Sequence, residues 1–164
     1  MDSQKFTDEV LKMEKLLYRL SWSMLSDQQD CADAVQEAVA RAWEKRSTLR
    51  NEAAFKKWLM QILSNVCRDM LRKRQKQTTV PLDEERLGDL ADESDAFSTT
   101  EILQFLSPDY RAIVMLHYIE GYRIRDIAQM LDAPIGTIKS RLMRARTFLR
   151  GAFESQSGLQ GGTK

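Results

Sequence analysis

The chain has few of the residues that build metal sites, disulfide scaffolds or membrane spans. It contains two cysteines, one histidine and three prolines among 164 residues. Cys31 and Cys67 lack metal-ligand spacing, and the single His117 cannot complete a zinc or catalytic set with them. No apolar run approaches the roughly 18 residues of a transmembrane helix, and the opening residues MDSQKFTDEV lack the basic and hydrophobic regions of a signal peptide. These absences predict a cytoplasmic protein with two reduced thiols, no metal and no cofactor.

A charge excess of one sign is missing too, since 25 basic and 24 acidic residues give a net charge of +1. The charges are nevertheless segregated along the chain. Residues 68–76 hold five basic residues and one acidic residue, residues 82–101 hold eight acidic and one basic, and residues 111–150 hold eight basic and three acidic. Two basic blocks separated by an acidic one form the electrostatic pattern expected of a protein that binds nucleic acid.

Apolar residues recur at helical spacing along most of the chain, which predicts an all-α protein without β-strands. Three stripes, in residues 6–25, 35–43 and 54–73, indicate three helices that form one small domain. In the second of these helices we expect the core face to be made by Val35, Ala38, Val39, Ala42 and Trp43.

The composition changes after the third helix, where the chain becomes acidic and loses its periodicity, as is typical of a flexible linker. Ser107 and Pro108 then form a helix-starting pair, and Gly121 is a suitable stop for that helix. We therefore predict a first helical domain at residues 5–76, a linker at 77–99, a second helical domain at 100–153 and a disordered tail at 154–164.

The second domain contains a helix-turn-helix pattern. An apolar stripe in residues 124–131 is followed by the turn DAP, and Pro134 opens a longer basic helix with one apolar face. The second helix of such a motif enters the major groove of DNA. Gly136 weakens that helix, which points to a close approach by a polyanion at its positive end. The face opposite the core carries Gly136 and the residues expected in the groove, which are Thr137, Ser140, Met143 and Arg144. Phosphate contacts are expected from the flanking residues Lys139, Arg141 and Arg146.

Both halves together resemble a bacterial extracytoplasmic-function (ECF, group 4) sigma factor of the sigma-70 family, over roughly residues 10–152. The stretch DCADAVQEAVARAWEKRSTLRNEAAFKKWLMQILSNVCRDMLRKR resembles region 2 of the family. The stretch LSPDYRAIVMLHYIEGYRIRDIAQMLDAPIGTIKSRLMRARTFLR resembles region 4. The resemblance implies a promoter-specificity subunit of RNA polymerase and not an enzyme, with a three-helix region 2 and a helix-turn-helix region 4. It also implies that the basic helix, from Pro134 onward, reads the upstream (−35) promoter element.

The resemblance implies a docking role for the segment DAVQEA in the second helix. In the family this segment binds a coiled coil of the largest polymerase subunit. Asp33, Gln36 and Glu37 lie on the face of the helix opposite its apolar stripe, and residues 27–37 contain four acidic residues and no basic one. A solvated acidic face is the alternative interpretation.

The resemblance further implies that the third helix and the loop before it melt and read the downstream (−10) element. Extruding a base from a duplex costs a few kcal/mol, which a pocket for the flipped base repays. The loop LRNEAA (49–54) would set specificity, and basic residues would hold the strand backbone. The residues implied in −10 recognition are Leu49, Arg50, Asn51, Ile62, Asn65, Lys56, Lys57, Arg68 and Arg72. Gln61 and Ser64 depart from the family, where basic or apolar residues are frequent at these positions.

The implied partners are core RNA polymerase, through its largest-subunit coiled coil and its flap, and promoter DNA. An inhibitory anti-sigma factor, often membrane-anchored, is also implied, and the free protein is expected to be a monomer. Two alternatives stay open at this point. One is a free-standing helix-turn-helix regulator that binds DNA as a dimer, and the other is an all-helical adaptor without a nucleic-acid role.

Overall fold

The computed structural model describes residues 1–77 and 103–160, and the regular structure in these ranges is helical throughout, without a strand. This confirms the predicted all-α class. A π-helical turn at Met115–Ile119 follows the fifth helix directly, and two 3-10 turns, Arg46–Thr48 and Glu52–Ala54, connect the third and fourth helices. The helices are α1 (Ser3–Lys12), α2 (Glu14–Leu25), α3 (Gln28–Lys45), α4 (Phe55–Gln77), α5 (Pro108–Val114), α6 (Ile124–Met130) and α7 (Ile135–Gln160).

The first domain has four helices and not the predicted three, because the helix expected over residues 6–25 is split at Met13. The Met13 N–H donates to the Val10 carbonyl oxygen at 3.0 Å, a 3-10-type hydrogen bond at the C-terminus of α1. Phe6 and Met13 are both buried in the core. Asp2 caps α1 by accepting a hydrogen bond from the Lys5 N–H at 2.8 Å.

Helix α3 packs into the first domain through small side chains. Its fully buried residues are Cys31, Ala34, Ala38 and Ala42, which let α3 approach α2 and α4 closely. Of the predicted stripe, Ala38 and Ala42 are therefore fully buried, and Val35 and Val39 pack against the core without being fully buried. Val35 and Val39 are half-buried and Trp43 is exposed, with the guanidinium of Arg46 stacked 3.6 Å from its ring centre.

Helix α5 begins at the Ser107–Pro108 pair, where the sequence predicts a helix start. Ser107 is the N-cap residue of α5 and Pro108 occupies its first turn, although the Ser107 side chain makes no capping hydrogen bond. Gly121 follows the π-helical turn with φ +76°, a left-handed conformation that favours glycine. Asp132, in the turn between α6 and α7, also has a positive φ, of 51°. At the start of α7, the Pro134 carbonyl accepts a hydrogen bond from the Ile138 N–H at 3.2 Å.

The linker and the tail predicted from the sequence differ in how far the structure describes them. The predicted linker falls almost entirely on residues 78–102, which lie outside the described residues. The disordered tail predicted from residue 154 is not met up to Gln160, because α7 continues to that residue. Ala152 is buried, and extending an existing helix adds one hydrogen bond for each residue fixed.

The two domains pack against each other. Helix α2 lies against α5, and α4 lies against α6. One continuous hydrophobic core runs through both domains and joins Leu63 of α4 to Ile127 and Met130 of α6. Burial of apolar surface between the domains therefore holds them together along with the polar contacts described below.

Candidate nucleic-acid interface

The basic helix α7 has the two faces predicted from its sequence. Ile138, Leu142 and Ala145 are buried, whereas Met143 is 68% exposed. A Cβ added at Gly136 would meet no atom within 4 Å, so the first turn of the helix is open to a large ligand. The groove-facing residues predicted from the sequence lie together on this surface beside Gly136, with Thr137 half-buried and the others exposed: Thr137, Ser140, Met143 and Arg144.

The basic residues that flank this face differ in their surroundings. Lys139 is exposed. Arg146 is also exposed, and its guanidinium donates to the Tyr118 hydroxyl and lies 5.7 Å from the Tyr118 ring centre. Arg141 is only 20% exposed, and its Nη1 lies 3.7 Å from Asp109 Oδ2. The expected phosphate contact of Arg141 therefore competes with an ion pair inside the second domain.

The loop between α3 and α4 is held by contacts at both ends. The Asn51 side chain accepts a hydrogen bond from the Ala53 N–H at 3.0 Å and so caps the turn that starts α4. Leu49 is half-buried against the core, and Arg50 is exposed. Glu52 pairs with Lys5 of α1, and the hydrogen bond from Lys5 lowers the pKa of the Glu52 carboxyl.

The face of α4 predicted to read the −10 element lies beside the second domain. Asn65 is exposed and accepts a hydrogen bond from Arg68 Nη1 at 3.3 Å, while Ile62 is half-buried. Arg68 Nη2 also donates to the Leu131 carbonyl at 2.6 Å. The Lys57 ammonium lies 2.7 Å from Asp126 Oδ1, and this hydrogen bond lowers the pKa of the Asp126 carboxyl.

The remaining basic residues predicted to bind the −10 strand are on the surface. Lys56 is exposed at the start of α4. Arg72 is exposed near its end, with its guanidinium 3.5 Å from Asp69. The described residues thus bring together a basic α4 surface, but two of its cations, Lys57 and Arg68, are paired with the second domain.

A separate face of α3 carries the predicted docking residues. Asp33, Gln36 and Glu37 are all exposed. Gln29 donates to the Asp33 carboxylate at 3.0 Å, and Arg41 donates to the Glu37 carboxylate at 2.6 Å. Next to Gln36, a shallow apolar groove runs between α1 and α3, lined by Phe6, Val35, Val39 and Trp43.

An apolar groove lies where α2 meets the second domain, and it was not predicted from the sequence. Tyr18 and Trp22 of α2 are about two-fifths exposed, and they face Val114, Met115 and Ile119 across a cleft of about 580 Å³. The spacing of Tyr18 and Trp22, one helical turn apart and off the core stripe, was the signal that could have revealed it. Large apolar side chains grouped at a surface mark an interaction site.

The described residues contain neither a cluster of side chains suited to a metal ion nor a helix suited to span a membrane. Within residues 1–77 and 103–160, His, Cys, Asp and Glu side chains form no group of three or more that could hold a metal ion. His117 instead donates from Nδ1 to the Tyr122 carbonyl at 3.0 Å. The same part of the chain contains no helix with the length and hydropathy needed to span a bilayer.

Comparison with known proteins agrees with this division into two domains. The family model for sigma-70 region 2 matches residues 10–77, and that for sigma-70 region 4 matches residues 98–149. The chain is 31% identical to the RNA polymerase sigma factor SigV of Bacillus subtilis, over 81% of each chain. It is 32% identical to the ECF RNA polymerase sigma factor SigM of Mycobacterium tuberculosis, over 90% of this chain and 76% of the relative.

Solved structures show the same fold. The sigma factor RpoE of Bartonella quintana, in complex with the anti-sigma factor NepR, superposes with a TM-score of 0.71 at 26% identity, over 92% of this chain and 98% of RpoE. CnrH, in complex with the cytosolic domain of CnrY, superposes with a TM-score of 0.64 at 20% identity, over 94% of this chain and 90% of CnrH.

Two helical domains, one matching region 2 and the other a helix-turn-helix matching region 4, define a sigma-70 type transcription initiation factor. The similarity to SigV and SigM narrows this class, and the chain belongs to the ECF sigma factors of the sigma-70 family.

Proposed function

We propose that this chain binds core RNA polymerase and directs initiation at promoters that carry matching −35 and −10 elements. The observation that carries the proposal is the presence of two separate exposed surfaces on one chain. The helix-turn-helix presents a basic, open face on α7, and the α3 face with Asp33 and Glu37 is acidic and lies on the other domain. A regulator that only bound DNA would have no use for the second surface.

In this proposal α7 reads the −35 element in the major groove. Arg144 recognises a guanine edge, and Met143 contacts a thymine methyl group. Gly136 and Thr137 bring the backbone close to the phosphates, and Lys139 and Arg146 set the register by charge. The open space around Gly136 and the exposure of Met143 support this assignment.

The proposal assigns the −10 element to α4 and its preceding loop. Asn65 offers an amide that both donates and accepts, as readout of a base edge requires. Leu49, Asn51 and Ile62 form the surroundings of the flipped base, and Arg50, Lys56, Lys57, Arg68 and Arg72 attract the strand backbone.

Docking to polymerase is assigned to the exposed α3 face. Asp33, Gln36 and Glu37 meet the coiled coil of the largest subunit, and the neighbouring groove between α1 and α3 accepts an apolar side chain from it. The second domain contacts the flap. Because the polymerase supplies the chemistry, the chain itself has no catalytic role, and it acts in the cytoplasm of a bacterium.

We further propose that an anti-sigma factor regulates the chain. The similar sigma factor RpoE was solved in complex with the anti-sigma factor NepR. The apolar groove with Tyr18, Trp22 and Ile119 suits an amphipathic helix of such a partner, because it offers apolar side chains from both domains.

A binding experiment separates this proposal from a free-standing regulator and from an adaptor. The purified chain is mixed with sigma-free core polymerase without DNA, and separately with duplex promoter DNA without polymerase. A sigma factor binds core in the first mixture and shifts duplex DNA weakly in the second. Strong binding to duplex DNA with no binding to core would favour the regulator, and binding to neither would favour the adaptor.

A further inference from the structure

Helix α1 contacts the loop that the proposed function assigns to −10 recognition, residues 49–54. Lys5, in the first turn of α1, donates a hydrogen bond from its ammonium group to the Glu52 carboxylate in that loop. This hydrogen bond raises the pKa of Lys5 and lowers the pKa of Glu52, so both groups keep their charges. The two residues are 47 positions apart, and their contact therefore joins separate parts of the first domain.

An aromatic cluster brings α1 against both helices that the loop connects. The ring of Phe6, which is buried, lies 5.2 Å from Trp43 and 5.6 Å from Phe55 between ring centres, edge to face in both pairs. Trp43 is in the last turn of α3, and Phe55 is the first residue of α4. Aromatic pairs favour this geometry. One side chain of α1 thus contacts the two helix ends between which the loop is held.

The loop has little packing of its own. None of residues 46–54 is fully buried. The Asn51 side chain accepts a hydrogen bond from the Ala53 N–H at 3.0 Å, and its carbonyl accepts one from the Ala54 N–H at 3.0 Å. These local hydrogen bonds set the shape of the turn but do not fix its position on the domain. That position depends on Leu49, which packs against the core, and on the contact between Lys5 and Glu52.

We propose that α1 positions the −10 loop, and that Lys5 is a positioning residue for base selection, acting through Glu52 and not through contact with DNA. This inference rests on the proposed function, in which a flipped base is bound beside the loop. A pocket discriminates between bases only when its walls are held in the productive geometry. An exposed ion pair shifts an equilibrium by about two- to fivefold, which is enough to alter base selection and too little to unfold the domain.

The effect on the loop is measured first, in the full chain without polymerase. Lys5→Met removes the ammonium group from an exposed position and keeps an unbranched side chain. The matched control is Lys12→Met, the same change on the same helix, where Lys12 pairs with Glu9 of α1 at 2.7 Å. The N–H groups of Ala53 and Ala54 should exchange with solvent about two- to fivefold faster in Lys5→Met, and at the wild-type rate in the control. Equal exchange rates in all three proteins would overturn the inference.

Transcription then tests base selection. Rates with core polymerase are compared on a promoter that the wild-type protein uses and on versions substituted at single positions of the −10 or the −35 element. Lys5→Met is expected to lower discrimination at the −10 element by about two- to fivefold and to leave −35 discrimination and binding to core unchanged. Lys5→Arg, which keeps the pair, should retain the wild-type ratio. In a Glu52→Gln background, Lys5→Met should have no further effect, because the interaction is already lost.

The alternatives give different results. If Lys5 were a phosphate contact, Lys5→Met would weaken all promoter versions alike, and would do so in the Glu52→Gln background as well. That result would overturn the inference alone, as would equal −10 discrimination in Lys5→Met and Lys12→Met. Absence of promoter-specific transcripts from the wild-type protein, with core polymerase that responds to a control sigma factor, would contradict the proposed function and this inference with it.

Discussion

Arg111 of the second domain donates from Nε to the Ser23 carbonyl oxygen of the first domain at 2.6 Å. Its Nη2 adds a hydrogen bond to the Met24 carbonyl at 3.2 Å, and its Nη1 donates to the Leu106 carbonyl at 2.9 Å. The guanidinium therefore caps the last turn of α2, where unpaired carbonyl groups carry partial negative charge. Burial lowers the pKa of Arg111, but a guanidinium remains charged at any pH the protein meets.

Replacing Arg111 with methionine is expected to destabilise the chain. The substitution keeps most of the apolar stem and leaves the carbonyls of Ser23 and Met24 without their charged donor. We expect the free energy of unfolding to fall by about 2–3 kcal/mol, measured by urea denaturation. Arg111→Lys keeps a positive charge, so its loss of stability should be smaller than that of Arg111→Met. Some loss should remain, because an ammonium group cannot reach all three carbonyls as the planar guanidinium does. Unchanged stability in Arg111→Met would show that the cap contributes nothing.

Cys67 is expected to give the protein a pH-dependent stability at alkaline pH. Burial, with a smaller contribution from nearby Cys31, raises the pKa of Cys67 to about 12. The unfolded thiol loses its proton near pH 8.5. Between these values the unfolded state binds fewer protons than the folded state, so stability falls as pH rises through 8.5, by about 1.4 kcal/mol per pH unit from this group. Below pH 8.5 the group has no effect on the pH dependence.

The control for this effect is Cys67→Ala, which lacks the titrating thiol. Urea denaturation of both proteins between pH 7.5 and 10.5 should give curves whose difference in stability is constant up to about pH 8.5 and then changes in favour of the variant. A difference that stays constant over the whole range would contradict the assignment.

Charge reversal on α3 is expected to prevent docking. Asp33→Lys with Glu37→Lys places two cations on the face proposed to meet a basic coiled coil, and both side chains are exposed, so the fold should persist by circular dichroism. Binding to core polymerase should be lost in a pull-down. A matched control is Asp8→Lys with Glu14→Lys, the same charge change on exposed residues of α1 and α2. Equal affinity of both double variants for core would remove α3 from the docking surface.

Arg144 and Lys139 are expected to affect transcription in different ways. Arg144→Ala should weaken use of a promoter with the matching −35 element by about 1–3 kcal/mol and have little effect when that element is scrambled. Lys139→Ala should weaken both promoters alike and lessen the salt dependence of binding, because a phosphate contact carries no sequence information. If Arg144→Ala weakened both promoters equally, Arg144 would be a phosphate contact.

The sequence predicted the elements better than their packing. The helical spacing of apolar residues correctly predicted the buried and exposed faces of α7, since Ile138 and Ala145 are buried and Met143 is exposed. In α3 the alanines of the predicted stripe, Ala38 and Ala42, are fully buried, whereas the larger Val35 and Val39 pack against the core and stay half-buried. Hydrophobicity ranks valine above alanine, whereas close approach of helices favours the smaller side chain. Helical period alone could not reveal this.

The contacts between the two domains could not be predicted from the sequence. Ser64 and Arg68 look like polar surface residues in the sequence, and their partners, Met130 and Leu131, are more than 60 positions away and contribute main-chain oxygens. Every residue has a main-chain carbonyl oxygen, so the residue type does not indicate which one accepts a hydrogen bond. The docking residues of α3 and the −10 residues of α4 came from the family resemblance, since exposure of Asp33 or Asn65 by itself is ordinary for a polar side chain.

Reconstituted transcription shows whether this chain directs initiation by core RNA polymerase. The purified chain is added to sigma-free core polymerase on genomic DNA, and the 5′ ends of the transcripts are sequenced, with a known sigma factor as the control for active core. The account predicts discrete start sites that share two upstream sequence elements, which are lost when the Asp33→Lys/Glu37→Lys variant replaces the protein. Transcripts with no shared elements, or no transcripts from core that responds to the control and comes from the host of this chain, would contradict it.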